Sequence, residues 1–414
     1  MIERFASLSA KKETQLYSIW TLAALVFYLV SPTLSYLAFW GLLPKFSLSL
    51  VQGALLVGAF IVRMLLFANG KIPFRSKYLA LTYLLLLWIS ILQWIWFPEI
   101  SSEIGPETFL STIAFTFVGA WTLLLGGEFL AYSIAMQPSR LARSALLVTY
   151  LSLVFVTLHG VFKGFKLYGT FLFAFQDPVS RQVYNYLALA DSLAIVGLLL
   201  MGKSDTPAFG GSLVLYIFTS ICLVFSYSRA SFFFFLFAGF LFLVLKFGSR
   251  QKLQLLFIFF LAGIAVLTAF VKQQNLTLIE RFIAPFTESD LSMQARWELL
   301  HQGLHSLGQY WLLGYFMHEV VEIGRGAYMH NWLSFWLCYG IGPFLLSIWL
   351  MFSLVIKSWL QRKKNRLALL SFCLLIFDLL EIIFARSYIW PYFWLGLGFA
   401  STVLTAPKEE QKRL

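Results

Sequence analysis

Charge is what this chain has least of. Only 12% of its 414 residues are Asp, Glu, Lys or Arg, about half the roughly 25% of an ordinary soluble domain. Polar sequence sufficient to clothe a water-facing globule is missing, which excludes a soluble enzyme. Cysteine is scarce too. Cys222, Cys338 and Cys373 each lie inside an apolar run, so there is neither a disulfide framework nor a metal-ligand spacing. The alternating segments of about 10 residues that build a transmembrane barrel are absent. So are internal repeats and low-complexity linkers, and residues 1–414 read as a single membrane domain.

What is present is apolar: 60% of the chain is hydrophobic and 18% aromatic. Runs of about 20 apolar residues, each long enough for a hydrocarbon core of about 30 Å, recur from end to end. They predict an all-α polytopic membrane protein of about twelve transmembrane helices. The spans fall near 16–36, 47–69, 78–97, 108–135, 141–162, 182–201, 211–227, 231–247, 253–271, 329–356, 367–384 and 387–405. The first run is too long for the core of a cleaved signal peptide, so it is expected to be retained as a span.

The net charge of +12 would hint at nucleic acid in a soluble protein. Here it fits cytoplasmic loops held by the excess of Lys and Arg on that side, and no nucleic-acid partner is expected. One set of connections holds most of the basic residues, including Lys11, Lys12, Lys71, Arg140, Lys252, Arg362, Lys363 and Lys408. That set is assigned to the cytoplasm, with both termini. Outside lie the acidic "FPEISSEIGPET", the tight "SYSRAS", the turn "EIIFARSYIW" and the longest loop, 272–328, between spans nine and ten. Within this loop Met293, Trp297, Leu300 and Leu304 fall at helical spacing and predict a short amphipathic helix on the outer surface. Charge is expected to gather at this one face, and Arg63, within span two, is expected to snorkel to the cytoplasmic boundary.

Polar residues that break the apolar pattern on the outer side are the candidates for chemistry. Arg229 stands in a tight turn between "CLVFSYS" and "ASFFFFLF", and Arg386 between "LLEIIFA" and "SYIWPYFW". Arg296 lies on the loop helix, Arg181 with Asp177 at the entry to span six, and His330 with Asn331 at the entry to span ten. Burying a guanidinium in lipid costs on the order of 3 kcal/mol, and arginine grips phosphate oxygens in a two-pronged fork. A lipid-linked diphosphate sits at this depth. A histidine beside it is suited to take a proton from a sugar hydroxyl. Each residue has a plainer reading: an arginine as an interfacial anchor, His330 as a helix cap. His301, His305 and His318 read as solvated loop residues, and His159 as a boundary residue.

At these positions the chain resembles the O-antigen ligase and polymerase superfamily of bacterial envelope glycosyltransferases. "YSRASFFFF" is similar to the family's short arginine turn, and "QARWELLHQGLHSLGQYWLLGYF" to its arginine-led loop helix with a following glycine, here Gly314. "MHNWLSFWLCYGIGPFLL" resembles its His-Asn stretch and "FARSYIW" its late Ala-Arg-Ser turn. "FQDPVSRQVYNYLALA" is similar to an outer loop that usually carries Asn-Pro, where this chain has Asp-Pro. The resemblance implies a GT-C-like, inverting and metal-independent glycosyltransferase of the bacterial inner membrane with its site facing the periplasm. The donor would be an undecaprenyl-diphosphate-linked glycan and the acceptor a lipid A-core sugar, within surrounding membrane lipids. Arg229 and Arg386 would meet the diphosphate, Arg296 would position donor or acceptor, His330 would be the base, and Asn331 and Arg181 would support binding. No cofactor is implied, and the chain lacks an outward Asp-x-Asp pair of the metal-dependent kind. The Arg386 turn favours the ligase branch. The alternatives are a polymerase joining lipid-linked repeat units and, from another class, a lipid-linked sugar transporter.

Overall fold

A computed structural model describes residues 2–44, 48–68, 77–105, 112–135, 140–168, 173–176, 184–202, 209–248, 251, 291–324, 329–363 and 365–404. The expected ninth span, the first part of the long loop and Arg181 with Asp177 lie outside these residues. Among the described residues the protein is all-α. The first helices are α1 (Ile2–Phe39), α2 (Leu48–Ala68), α3 (Lys77–Ile95) and α4 (Phe97–Ile104). A π-helical turn, Ala114–Gly119, leads into α5 (Ala120–Ala135). Then come α6 (Arg140–Tyr168), α7 (Tyr186–Gly202), α8 (Phe209–Phe225) and α9 (Arg229–Lys246). Within the long loop lie α10 (Leu291–Tyr310) and α11 (His318–Glu322), and after it come α12 (Leu333–Tyr339), α13 (Ile341–Gln361), α14 (Arg366–Phe384) and α15 (Tyr392–Val403).

Helix lies under each of the eleven expected spans that the described residues reach. Among the described residues six helices are long and apolar enough to cross a membrane, α3, α9, α13 and α14 among them, and four apolar helices are shorter. A lipid-immersed helix satisfies its backbone internally, and buried hydroxyls here follow the same rule. Thr82, Ser90, Thr157 and Ser371 each donate to the carbonyl four residues back. Apolar side chains of α2 and α6, such as Val57, Ile61, Leu151, Phe155 and Leu158, face outward, as a lipid-facing surface requires. At the centre, α15 is buried along its whole length. It packs on α5 through glycine: a Cβ on Gly127 would meet the backbone of Leu395 and Phe399, and one on Gly398 the carbonyl of Leu124. Helices in lipid gain most from such close approach.

Two expectations change. Span ten does not begin as one helix at 329. Residues 329–332 are irregular, α12 is short, and the chain breaks at Gly340 before α13. The reason is a latch between backbones. Gly340 (φ 78°) and Gly314 (φ 72°) are both left-handed, and a Cβ on either would strike the other segment's backbone. Tyr315 N–H donates to the Leu337 carbonyl at 2.7 Å and Ile341 N–H to the Trp311 carbonyl at 3.1 Å. The exit of α10 is thereby docked into the break.

Arg63 does not snorkel. It is 3% exposed and grips Glu128 of α5 with two N–H groups, at 2.9 and 3.3 Å. Tyr83 of α3 donates to the same carboxylate at 2.6 Å. Charge is therefore not confined to one face, as the sequence pattern suggested; a satisfied ionic staple joins α2, α3 and α5. Removing one partner leaves an unpaired buried charge. Arg63→Ala is expected to cost about 3–5 kcal/mol, whereas the matched apolar double change Arg63→Met with Glu128→Leu should be close to neutral. Thermal melting of both variants in detergent checks this, and equal losses in the two would contradict it.

Candidate active site

One end of the bundle collects the start of α7, the start of α9, the end of α14 and the segment entering α12. Apolar runs place these helix ends together, and five polar side chains, Asp191, Ser231, Glu381, Arg386 and Trp390, tie α7, α9 and the end of α14. Asp191 of α7, 2% exposed, is the hub. Its Oδ1 accepts from Arg386 Nη2 at 2.6 Å and from the Ser231 hydroxyl at 2.6 Å. Its Oδ2 accepts the Trp390 indole N–H at 2.9 Å. Arg386 also donates to Ser231 at 3.1 Å. Its Nε lies 3.3 Å from Glu381 Oε2, close enough for an ion pair but not aligned as a hydrogen bond. Arg386 N–H caps the end of α14 by donating to the Glu381 carbonyl at 2.7 Å. The guanidinium is thus held from two sides, and the residue is 7% exposed.

His330 stands directly against this cluster. Its Nδ1 is 3.3 Å from the Ala385 carbonyl. A carbonyl oxygen only accepts, so Nδ1 carries the hydrogen and Nε2 carries the lone pair. Burial pushes the ring's pKa down, and the positive charge of Arg296 and then of Arg386 pushes the same way. The bond to Ala385 opposes them, and the outcome is about 4. The imidazole is therefore neutral at physiological pH.

The expected residues come together unevenly. Arg296, half-buried on α10, is near enough to His330 and to Glu381 for its charge to act on both. Arg229, also half-buried, heads α9 directly after Ser228, whose hydroxyl is 2.7 Å from that of Ser231. Asn331 turns inward on its own chain: its Oδ1 accepts Leu333 N–H at 3.0 Å, and its carbonyl accepts the Ser334 hydroxyl at 2.7 Å. That turn starts α12. His301 and His305 are exposed as expected, and His159, half-buried within α6, sits 3.0 Å from the Tyr36 hydroxyl. His318 is corrected: it is 4% exposed, with its ring against Tyr310 and Tyr315, because the α10 exit folds over it. On α10 itself Leu300 and Leu307 pack toward Met329 and Leu337, while Trp297 and Leu304 remain exposed.

Asp191, Ser231, Glu381 and Trp390 were not singled out from sequence. The signal for the two acids was available, since "LALADSLAIV" and "FDLLEII" each put a carboxylate inside an apolar run, where such groups are rare and tend to be functional. Ser231 and Trp390 carry no comparable mark.

Residues 214–318, about a quarter of the chain, match the family described as O-antigen ligase. The match supports the superfamily resemblance and is consistent with the ligase branch. It spans α8 to the start of α11 and includes Arg229, Arg296 and Gly314; His330 and Arg386 lie beyond it. No curated protein matches the chain.

Proposed function

We propose, with that O-antigen ligase match as the premise, that this multi-pass membrane protein transfers a polysaccharide en bloc from undecaprenyl diphosphate onto a lipid A-core sugar. The reaction is placed on the periplasmic side of a bacterial inner membrane, with twelve spans and both termini in the cytoplasm. The observation that carries the reading is His330 seated on the Ala385 carbonyl, next to an Arg386 locked by Asp191, at one end of an apolar bundle.

The chemistry that the resemblance implies fits that geometry. The acceptor hydroxyl attacks the anomeric carbon of the donor sugar, and its proton passes to Nε2 of His330. A new C–O bond forms as the bond from the anomeric carbon to the diphosphate oxygen breaks, with inversion. Undecaprenyl diphosphate leaves with the electron pair. Arg229, half-buried, meets the diphosphate and Arg296 positions donor or acceptor, while Arg386, expected at the diphosphate but 7% exposed and held by Asp191 and Glu381, adds its field from behind. Arg181 supports substrate, and Asn331, turned onto Leu333 N–H, supports the site by shaping the segment that carries His330. No metal and no cofactor takes part. Arginine charge stabilises the leaving group in the transition state, where such preorganised charge counts most.

A deletion strain tests this directly. Its lipopolysaccharide should run on a gel as bare lipid A-core, restored to polymer by the wild-type gene. Core capped with single repeat units would instead assign the protein to the polymerase branch. Transfer between purified donor and acceptor in detergent, without a membrane gradient, excludes a transporter.

A further inference from the structure

Beneath α10, away from the Asp191 cluster, a cavity of about 210 Å³ is lined by Gln302, Ser306, His318, Glu319 and Glu322, with Gly303 and Ile323. Two of these groups are deeply buried yet unsatisfied. His318 Nδ1, 4.0 Å from the Glu322 carboxylate and so beyond hydrogen-bond reach of it, and Glu319 Oε2 have no hydrogen-bond partner, with their residues 4% and 3% exposed. A buried polar atom left unpaired costs on the order of 1–3 kcal/mol, so two at one cavity point to something that binds there.

We propose that this cavity is a binding site for a single sugar ring of a substrate glycan. The lining states the ligand class. It offers carboxyl, amide, hydroxyl and imidazole groups and not one Lys or Arg, so it does not suit a phosphate. Among the described residues no three His, Cys, Asp or Glu side chains are placed to hold a metal ion. Sugar hydroxyls supply the donors that Glu319, Glu322 and Gln302 accept. The volume is below the roughly 300–1,000 Å³ of clefts for drug-sized ligands, which suits one ring better than a chain. Burial lifts the Glu319 carboxyl to about 7 against the pull of its bond to Met329, so near neutral pH it can donate as well as accept.

The cavity is also tied to the catalytic end. Glu319 Oε1 accepts the backbone N–H of Met329 at 2.7 Å, and Met329 immediately precedes His330. Gly303, in the cavity wall, packs so tightly on Met329 that a Cβ would collide with the thioether. A ring seated on Glu319 therefore sets the segment that carries His330. The glycan identity of the ligand rests on the proposed transferase reading; the existence of the site does not.

Saturation-transfer NMR on the detergent-solubilised full chain tests the site, with free glucose, galactose and N-acetylglucosamine as probes. Signal is expected from at least one sugar, equally in wild type and His330→Ala. It should fall at least fivefold in Ser306→Trp, which fills the cavity, and severalfold in Gln302→Ala, an exposed position that should leave melting unchanged. In a transfer assay Gln302→Ala should raise the acceptor KM with kcat within about twofold. Absence of signal from all three sugars in wild type, or full signal in both cavity variants, overturns the site. Sugar binding without any glycan transfer would sink the proposed activity and leave the site standing.

Discussion

Replacing His330 by alanine is expected to lower glycan transfer about 10²–10⁴-fold, the usual worth of a positioned proton acceptor. Donor binding should be retained, because the arginines that meet the diphosphate stay in place. The pH dependence gives this prediction a second readout. In the free protein burial and the charges of Arg296 and Arg386 hold the His330 pKa at about 4. The ring is then unprotonated, hence competent as a base, at all pH values above that. A bound diphosphate brings negative charge that offsets the arginines and moves the pKa back up. A ring at about 4 is a weak base, so the donor itself strengthens it. Because kcat/KM reports the free protein and kcat the bound complex, the acid limb of kcat/KM should lie below pH 5, with that of kcat at higher pH. Coincident limbs would remove this coupling, and near-normal transfer by His330→Ala would remove the base.

Asp191→Ala is expected to be the most damaging change away from the reacting atoms. It strips Arg386, Ser231 and Trp390 of their common acceptor and leaves a buried guanidinium facing Glu381 at 3.3 Å. Loss of one partner from such a pair costs about 3–5 kcal/mol. Asp191→Asn should recover only part of this. An asparagine keeps one oxygen for Arg386 but turns an N–H₂ toward the Trp390 indole, donor against donor. Melting in detergent should therefore rank wild type above Asn above Ala. Transfer should fall in both variants, as Ala385 and its hold on His330 move with Arg386. An Ala variant with unchanged melting and activity would show the cluster to be ornamental.

The helical class and the positions of most helices were legible in the sequence pattern, since apolar length alone dictates them. It also singled out His330, Arg296 and Arg386, three side chains that the structure brings to one neighbourhood. Internal pairing was harder to read. Arg63 looked like a boundary residue because its partner Glu128 is on another helix, and nothing local links the two. Asp191 and Glu381 lie within helices, not in the turns between spans where polar residues stand out in the sequence. The break at Gly340 was hidden for a related reason. Hydropathy runs straight through "WLCYGIGPFLL", and only the contact with Gly314 shows why a helix must stop there.

The Arg63–Glu128 staple has a consequence for how the chain is made. The two residues are 65 positions apart, so at about 5–20 residues synthesised per second the arginine emerges roughly 3–13 s before its partner. For that interval the nascent second span carries an uncompensated guanidinium into the membrane. Arg386 follows Asp191 by 195 positions, about 10–40 s at the same rates. On the ribosome, the end bearing His330 is thus completed last: a truncated product can hold its first staple and never assemble the cluster behind the base.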